Sequence, residues 1–190
     1  MSLDRLPDDL PVPQDDGACD HLPGLAVADV ALPSTMGGLV NLASPASGWT
    51  IVYCYPRTGV PGQPLPTNWD AIPGARGCTP QSCAFRDHHA ELAALDARVF
   101  GLSTQPTAYQ REAAKRLHLP FALLSDESLA FCRALRLPTF EVDGLRLIRR
   151  LTLVIRSSRI AHVFYPVFPP DRSADAVLAW LRNPNPRTAN

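Results

Sequence analysis

The stretch GARGCTPQSCAFRDHHAEL, residues 74–92, concentrates the chain's reactive side chains. Cys78 and Cys83 are followed closely by Arg86, His88 and His89. Three chemistries compete for such a set: a metal site, a redox-active thiol, or plain packing cysteine. Thr79 is an acceptable N-cap and Pro80 suits the first helical position, and Phe85, Leu92 and Leu95 recur at helical spacing. The pattern predicts a helix from 80 to about 95. A thiol at that helix start faces N–H groups without partners and the positive end of the helix dipole, and both favour thiolate over thiol. Gly77 leaves the backbone free to turn and lets a substrate approach. Arg76, Arg86 and Arg150 are candidates to hold an anion there.

Zinc would need Cys78, Cys83, His88 and His89 to converge from one continuous helix. Each five-residue step turns about 140° around the axis, so Cys78, Cys83 and His88 point to three different sides, which argues against a metal. His88 and His89 fit packed or surface roles. Cys54, inside an apolar run, and Cys132, on an apolar helix face, read as packing thiols, and Cys19 as incidental.

The elements that must position Cys78 follow from the surrounding pattern. GWTIVYCYP, 48–56, is an aromatic and β-branched run ended by Pro56, a buried strand. Residues 57–77, broken by prolines and glycines, form a loop whose length marks it as functional or mobile. ARVFGLS, 97–103, is a second buried strand, and TAYQREAAKRL is a helix with Thr107 and Gln110 in capping-box positions and Tyr109, Ala113 and Leu117 on one face. SDESLAFCRALRL is another helix, capped by Ser125 or Asp126, with Leu129, Cys132 and Leu135 inward. Asp143-Gly144 marks one hairpin, Arg156 to Arg159 a second, and SADAVLAWLRN a closing helix capped near Ser173. The order β-α-β-α-(α)-β-β-α describes an α/β, thioredoxin-like fold: a mixed central sheet with helices on both faces. Residues 1–17, rich in Pro and Asp, read as an extended or disordered arm, 18–182 as the domain, and 183–190 as a loose tail.

Composition narrows the class. With 190 residues, 46% hydrophobic and 19% charged, this is an ordinary globular chain, and 18 basic against 18 acidic residues leave no footprint for nucleic acid and no polybasic membrane anchor. No apolar run approaches the roughly 20 residues of a bilayer span, and the N-terminus lacks the pattern of a secretory signal, so the expected location is the cytoplasm. Five scattered cysteines in a reducing compartment are no structural disulfide framework.

GCTPQSCAFRD resembles the Gly-Cys-Thr-x-Glu/Gln-x-Cys-x-Phe/Leu-Arg-Asp signature of the peroxiredoxins of the bacterioferritin comigratory protein, or peroxiredoxin Q, type (atypical two-cysteine). VYCYP is similar to that group's strand ending in Tyr-Pro. FGLSTQPTAYQREAAKRLHLPFALLSD is similar to its Gly-Val-Ser … Leu-Pro-Phe-x-Leu-Leu-Ser-Asp stretch, and RRLTLVI to its Arg-x-Thr-Phe strand. The resemblance covers residues 25–182 or so. It implies a peroxidase with neither metal nor prosthetic group, acting on hydrogen peroxide or organic hydroperoxides. In it Cys78 would be the peroxidatic thiolate, Cys83 the resolving cysteine of an intramolecular disulfide, and Arg150 the arginine that holds the thiolate and polarises the peroxide. Thioredoxin or a similar dithiol reductant would be the partner, and the protein a monomer or weak homodimer. The family threonine three residues before the peroxidatic cysteine is replaced by Ala75, and Thr58, at the start of the long loop, is the candidate to supply its hydroxyl. A non-enzymatic thiol redox sensor, or a thiol–disulfide oxidoreductase on the same fold, is the competing class; the latter normally carries Cys-x-x-Cys, which is absent here.

Overall fold

The computed structural model describes residues 6, 7 and 9–184. Positions 1–5 and 8 of the arm and 185–190 of the tail lie outside the described residues. The central sheet has the strand order β5-β4-β3-β8-β9, built from β3 (Trp49–Cys54), β4 (Ala97–Ser103), β5 (Leu123–Ser125), β8 (Leu151–Arg156) and β9 (Arg159–Phe164). β3 pairs parallel with β4 and antiparallel with β8, so it is fully flanked, as its unbroken apolar sequence requires. Two small hairpins stand apart: β1 (Ala31–Pro33) with β2 (Leu39–Asn41), and β6 (Thr139–Val142) with β7 (Leu145–Ile148) around Asp143-Gly144. The helices are α1 (Cys78–Asp87), α2 (His89–Ala94), α3 (Thr107–Arg116), α4 (Ala130–Leu135) and α5 (Ser173–Arg182). Among the described residues no helix is long and apolar enough to cross a membrane.

The side-chain alternation of the sheet builds two cores. Ile51, Tyr53 and Tyr55 face one cluster with Cys78, Phe85, Ala113, Leu117, Val177 and Leu178, drawn from α1, α3 and α5. Val52 and Cys54 face the other, with Leu22, Leu32, Phe131, Cys132 and Leu135, which brings in α4 and the β1–β2 hairpin. Helices therefore cover both faces.

Several local expectations are corrected. The helix predicted over 80–95 is two: α1 opens at Cys78 and ends at Asp87, and α2 follows after His88, which bonds Glu91 at 2.7 Å and Asp175 at 3.1 Å. The N-cap is Gly77, in the left-handed region at φ 101°, and Thr79 lies inside the helix. Gln110 makes no capping box; its buried amide donates to Ser103 Oγ at 3.0 Å and to the Leu124 carbonyl at 2.9 Å. Tyr109 is half-buried under Arg57, and Gln110, with Ala113 and Leu117, takes the inward face. Ser125 belongs to β5, a strand too short and too apolar on both sides to separate from its flanks in the sequence. The Asp126 carboxylate does cap α4, from several residues upstream, accepting the Phe131 and Cys132 N–H groups at 3.0 and 2.8 Å. Leu129 packs half-buried against the core, as expected, but as the N-cap at φ 59° and not within the helix. Ser173 is the first residue of α5, and its hydroxyl faces Gln81 instead of the helix end. Cys19 is a core residue, 5% exposed. The described part of the arm holds no helix or strand and lies against the rest of the chain, with Pro13 beside Gly74 and Asp16 accepting the Tyr165 hydroxyl at 2.9 Å.

Candidate active site

Cys78 is the first residue of α1 and only 3% exposed. Glycine is required before it for two reasons: φ is positive, and a Cβ at position 77 would collide with Pro170 and Leu6. α1 is pressed onto the sheet by Tyr53, whose ring stacks on Phe85 at 4.6 Å and whose hydroxyl donates to Ser82 at 3.1 Å. The start of the helix is thus fixed from both sides.

The loop over 57–77 is a built structure. Trp69 is buried beside Leu147, a 3-10 turn covers Trp69–Ala71, and Arg76, 6% exposed, pairs with Asp70 at 3.2 Å. Its last residues wrap an arginine. Arg150, 3% exposed between β7 and β8, donates through Nε to the Gly74 carbonyl at 3.2 Å, and through Nη2 to those of Ala75 and Arg76 at 3.1 and 3.0 Å. The same Nη2 lies 3.2 Å from Cys78 Sγ, and Nη1 donates to Gln81 Oε1. Cys78 Sγ also faces the Ala75 carbonyl at 3.5 Å. A guanidinium at that distance and the open N–H groups of a helix start set positive charge around the sulfur.

Of the three candidate arginines, Arg150 is the one whose guanidinium bonds Cys78. Arg76 contributes its carbonyl to the cradle, and Arg86 bonds Asp87 at 2.8 Å and the Leu117 carbonyl at 2.9 Å, near Cys83. Cys83 is half-buried on the same helix, and no disulfide joins it to Cys78. His88 and His89 do not join the thiols; His89 leans on Phe121 with ring centres 5.9 Å apart. No group of three or more potential ligands among the described residues is arranged to hold a metal ion.

Thr58 is buried and tied to Gln105: its N–H and hydroxyl donate to Gln105 Oε1 at 2.9 and 3.1 Å, and Gln105 Nε2 returns a bond to the Thr58 carbonyl at 3.2 Å. Sequence reasoning missed this polar layer, which continues through Ser103, Gln110 and Ser125. It also missed Gln81, which links Arg150 to Ser173 at 3.3 Å. The one signal available for Gln81 was its place in the cysteine motif; the layer, spread over distant segments, carried none.

A buried cysteine at a helix N-terminus, held by a buried arginine on a thioredoxin-like sheet, defines a thiol-reactive protein of that fold class. The Redoxin family model matches residues 22–178. The peroxiredoxin Bcp of Escherichia coli K12 is 32% identical over 167 residues, 83% of this chain and 96% of its own length. The chloroplastic peroxiredoxin Q of Arabidopsis thaliana is 28% identical over 160 residues, 84% of this chain; the chain spans 66% of that relative's length. Among solved structures, the peroxidoxin BcpB of Mycobacterium tuberculosis superposes with a TM-score of 0.69 at 28% identity, covering 87% of this chain and 99% of that one. The chain belongs to the redoxin family, in its peroxiredoxin Q/Bcp branch.

Proposed function

We propose that this protein is a thiol-dependent peroxidase, and the contact between Arg150 and Cys78 Sγ is the observation that carries the reading. The Cys78 thiolate attacks one oxygen of hydrogen peroxide or an organic hydroperoxide; the O–O bond breaks, sulfur becomes sulfenic acid, and the other oxygen leaves as water or alcohol after taking a proton. Arg150 holds the thiolate and stabilises charge on the parting oxygens. The Cys83 thiol then attacks the sulfenic sulfur, forming a disulfide and releasing water. A dithiol of the thioredoxin type returns both cysteines to thiols by exchange. Thr58 supplies the hydroxyl that orients the peroxide, in place of the residue that is Ala75 here. Residues 18–182 are the reacting unit, working in a reducing compartment such as the cytoplasm as a monomer or weak homodimer.

Stopped-flow measurement of peroxide consumption with thioredoxin, its reductase and NADPH tests the reading. Many turnovers per protein are expected. A single equivalent consumed, with no turnover under any dithiol donor, would make the protein a redox sensor.

A further inference from the structure

The residues just before Cys78 are touched by the chain's own N-terminal arm. Gly77, the N-cap of α1, sits between Leu6 of the arm and Pro170, and a Cβ there would collide with both. Pro13 lies beside Gly74, whose carbonyl accepts from Arg150 Nε at 3.2 Å, and it shares a small cavity with Arg149, Arg150 and Tyr165. Asp16 fastens the arm further along by accepting the Tyr165 hydroxyl at 2.9 Å. Leu6 and Pro13 thus meet the two ends of residues 74–77, the segment whose carbonyls cradle Arg150 and whose last member starts the helix of Cys78. The hold is light: the described arm forms no helix or strand, and Val12 is 62% exposed. A segment with so little buried apolar contact opens at small cost.

We propose that the arm is a clamp on residues 74–77 that opposes the unwinding of α1 needed to join Cys78 to Cys83, so that its release sets how fast that bond closes. The inference rests on the reading of Cys78 and Cys83 as a reacting pair. Both lie in α1, where an intact helix keeps them too far apart to bond. Cys78 reaches Cys83 only if the backbone at Gly77 swings, and Leu6 and Pro170 wall it in on two sides. With the arm seated, Cys78 stays against Arg150; with the arm away, one wall is gone.

The test uses the full chain and no peroxide. Leu6→Ser, Pro13→Ser and Asp16→Ala combined remove the arm's contacts; Tyr165→Phe, the milder variant, deletes the bond to Asp16 from the other side. The amides of Ala75 and Gln81 bond the Ile72 and Gly77 carbonyls at 3.1 and 3.0 Å and so report on the two ends of the segment. In the reduced protein the combined variant should exchange both about tenfold faster while β3 keeps its native rate, and Tyr165→Phe should do so about threefold, the worth of one neutral hydrogen bond. Oxidised glutathione then closes the pair. The Cys78 thiolate attacks its disulfide and expels one glutathione thiolate; the Cys83 thiolate attacks the mixed disulfide and expels the second, so glutathione gains the two electrons the pair loses. The second step, followed as loss of the mixed disulfide by intact mass, should quicken in the same order. Acceleration shared equally by β3 would make the arm a general stabiliser and overturn the clamp, as would unchanged exchange at Ala75 and Gln81. Faster exchange with an unchanged second step would overturn its control of the bond. A chain that shows the predicted shifts and turns over no peroxide would sink the peroxidase reading alone.

Discussion

Cysteines lie on both faces of the central sheet, and burial does not distinguish them. Cys132 and Cys78 are each 3% exposed. Cys132 sits with Cys54 and Cys19 among Val52, Leu102 and Phe131, on the face covered by α4. Burial pushes all three thiols up, Cys19 to about 12 and Cys54 and Cys132 well above the ordinary range, and the nearby Asp126 carboxylate reinforces this for Cys132. On the opposite face Cys78 meets a guanidinium and a helix N-terminus. The alternation of β3 keeps the environments apart, since Cys54 points one way and Tyr53 and Tyr55 the other. What sets the proposed reactive thiol apart from the core thiols is the charge of its neighbours.

The comparison breaks most visibly by exchanging the residues that define it. Cys78→Ser should abolish peroxide reduction, whereas Cys54→Ala and Cys132→Ala should keep the rate and lose about 1 kcal/mol of stability each, the cost of a small void. Cys83→Ser should retain the first oxidation and lose disulfide-linked turnover, with intact mass showing one added oxygen after one equivalent of peroxide. Activity loss in Cys54→Ala equal to that in Cys78→Ser would end the distinction. Next in size, Arg150→Met should slow oxidation of Cys78 by peroxide by roughly thirty- to a thousandfold, as the loss of about 2–4 kcal/mol of preorganised charge requires. A rate unchanged by stopped flow would shift the anion-holding role to Arg76.

The asymmetry was partly legible in the sequence. Apolar runs at 48–56 and 97–103 gave the central strands, and the Gly-Cys-Thr motif put Cys78 at a helix start, because those signals are local. The β5 strand and the break at His88 were not legible: one is three residues long, and the other is held by Asp175 on a distant helix. The same holds within the site. Arg150 was reachable through its strand motif, but the cradle of carbonyls over 74–76 and the bond between Thr58 and Gln105 exist only once residues 47 or more apart are packed together.

The proposed disulfide between Cys78 and Cys83 would also require these two thiols, unlike the core thiols, to move. Both lie within α1, and an intact helix separates Cα atoms five residues apart by about 8.6 Å, beyond the roughly 7 Å a disulfide tolerates. Oxidation should therefore unwind about one turn at the start of α1, where the first N–H groups have no helical partners to lose. Amide exchange over residues 78–86 should accelerate in the disulfide form while β3 stays protected. Unchanged exchange alongside a verified Cys78–Cys83 bond would mean that the bond closes without loss of helical hydrogen bonds and that the unwinding does not occur.

The smallest expected effect tests the polar layer that ties Thr58 to Gln105. Thr58→Val keeps the shape and deletes the hydroxyl. Gln105 Oε1 still accepts the Thr58 N–H at 2.9 Å, so its acceptor is not orphaned, and the stability loss should stay near 1 kcal/mol. If the hydroxyl orients the peroxide, kcat/KM should fall about three- to tenfold, the value of one neutral hydrogen bond, and Thr58→Ser should restore it. The contrast with Gln105→Met sharpens the point, because that change removes the acceptor and leaves the Thr58 hydroxyl in place. A hydroxyl that serves the peroxide predicts a larger rate loss in Thr58→Val than in Gln105→Met. A hydroxyl that only ties the loop to β4 predicts equal melting shifts and no rate change in Thr58→Val, and Thr58 would then leave the site.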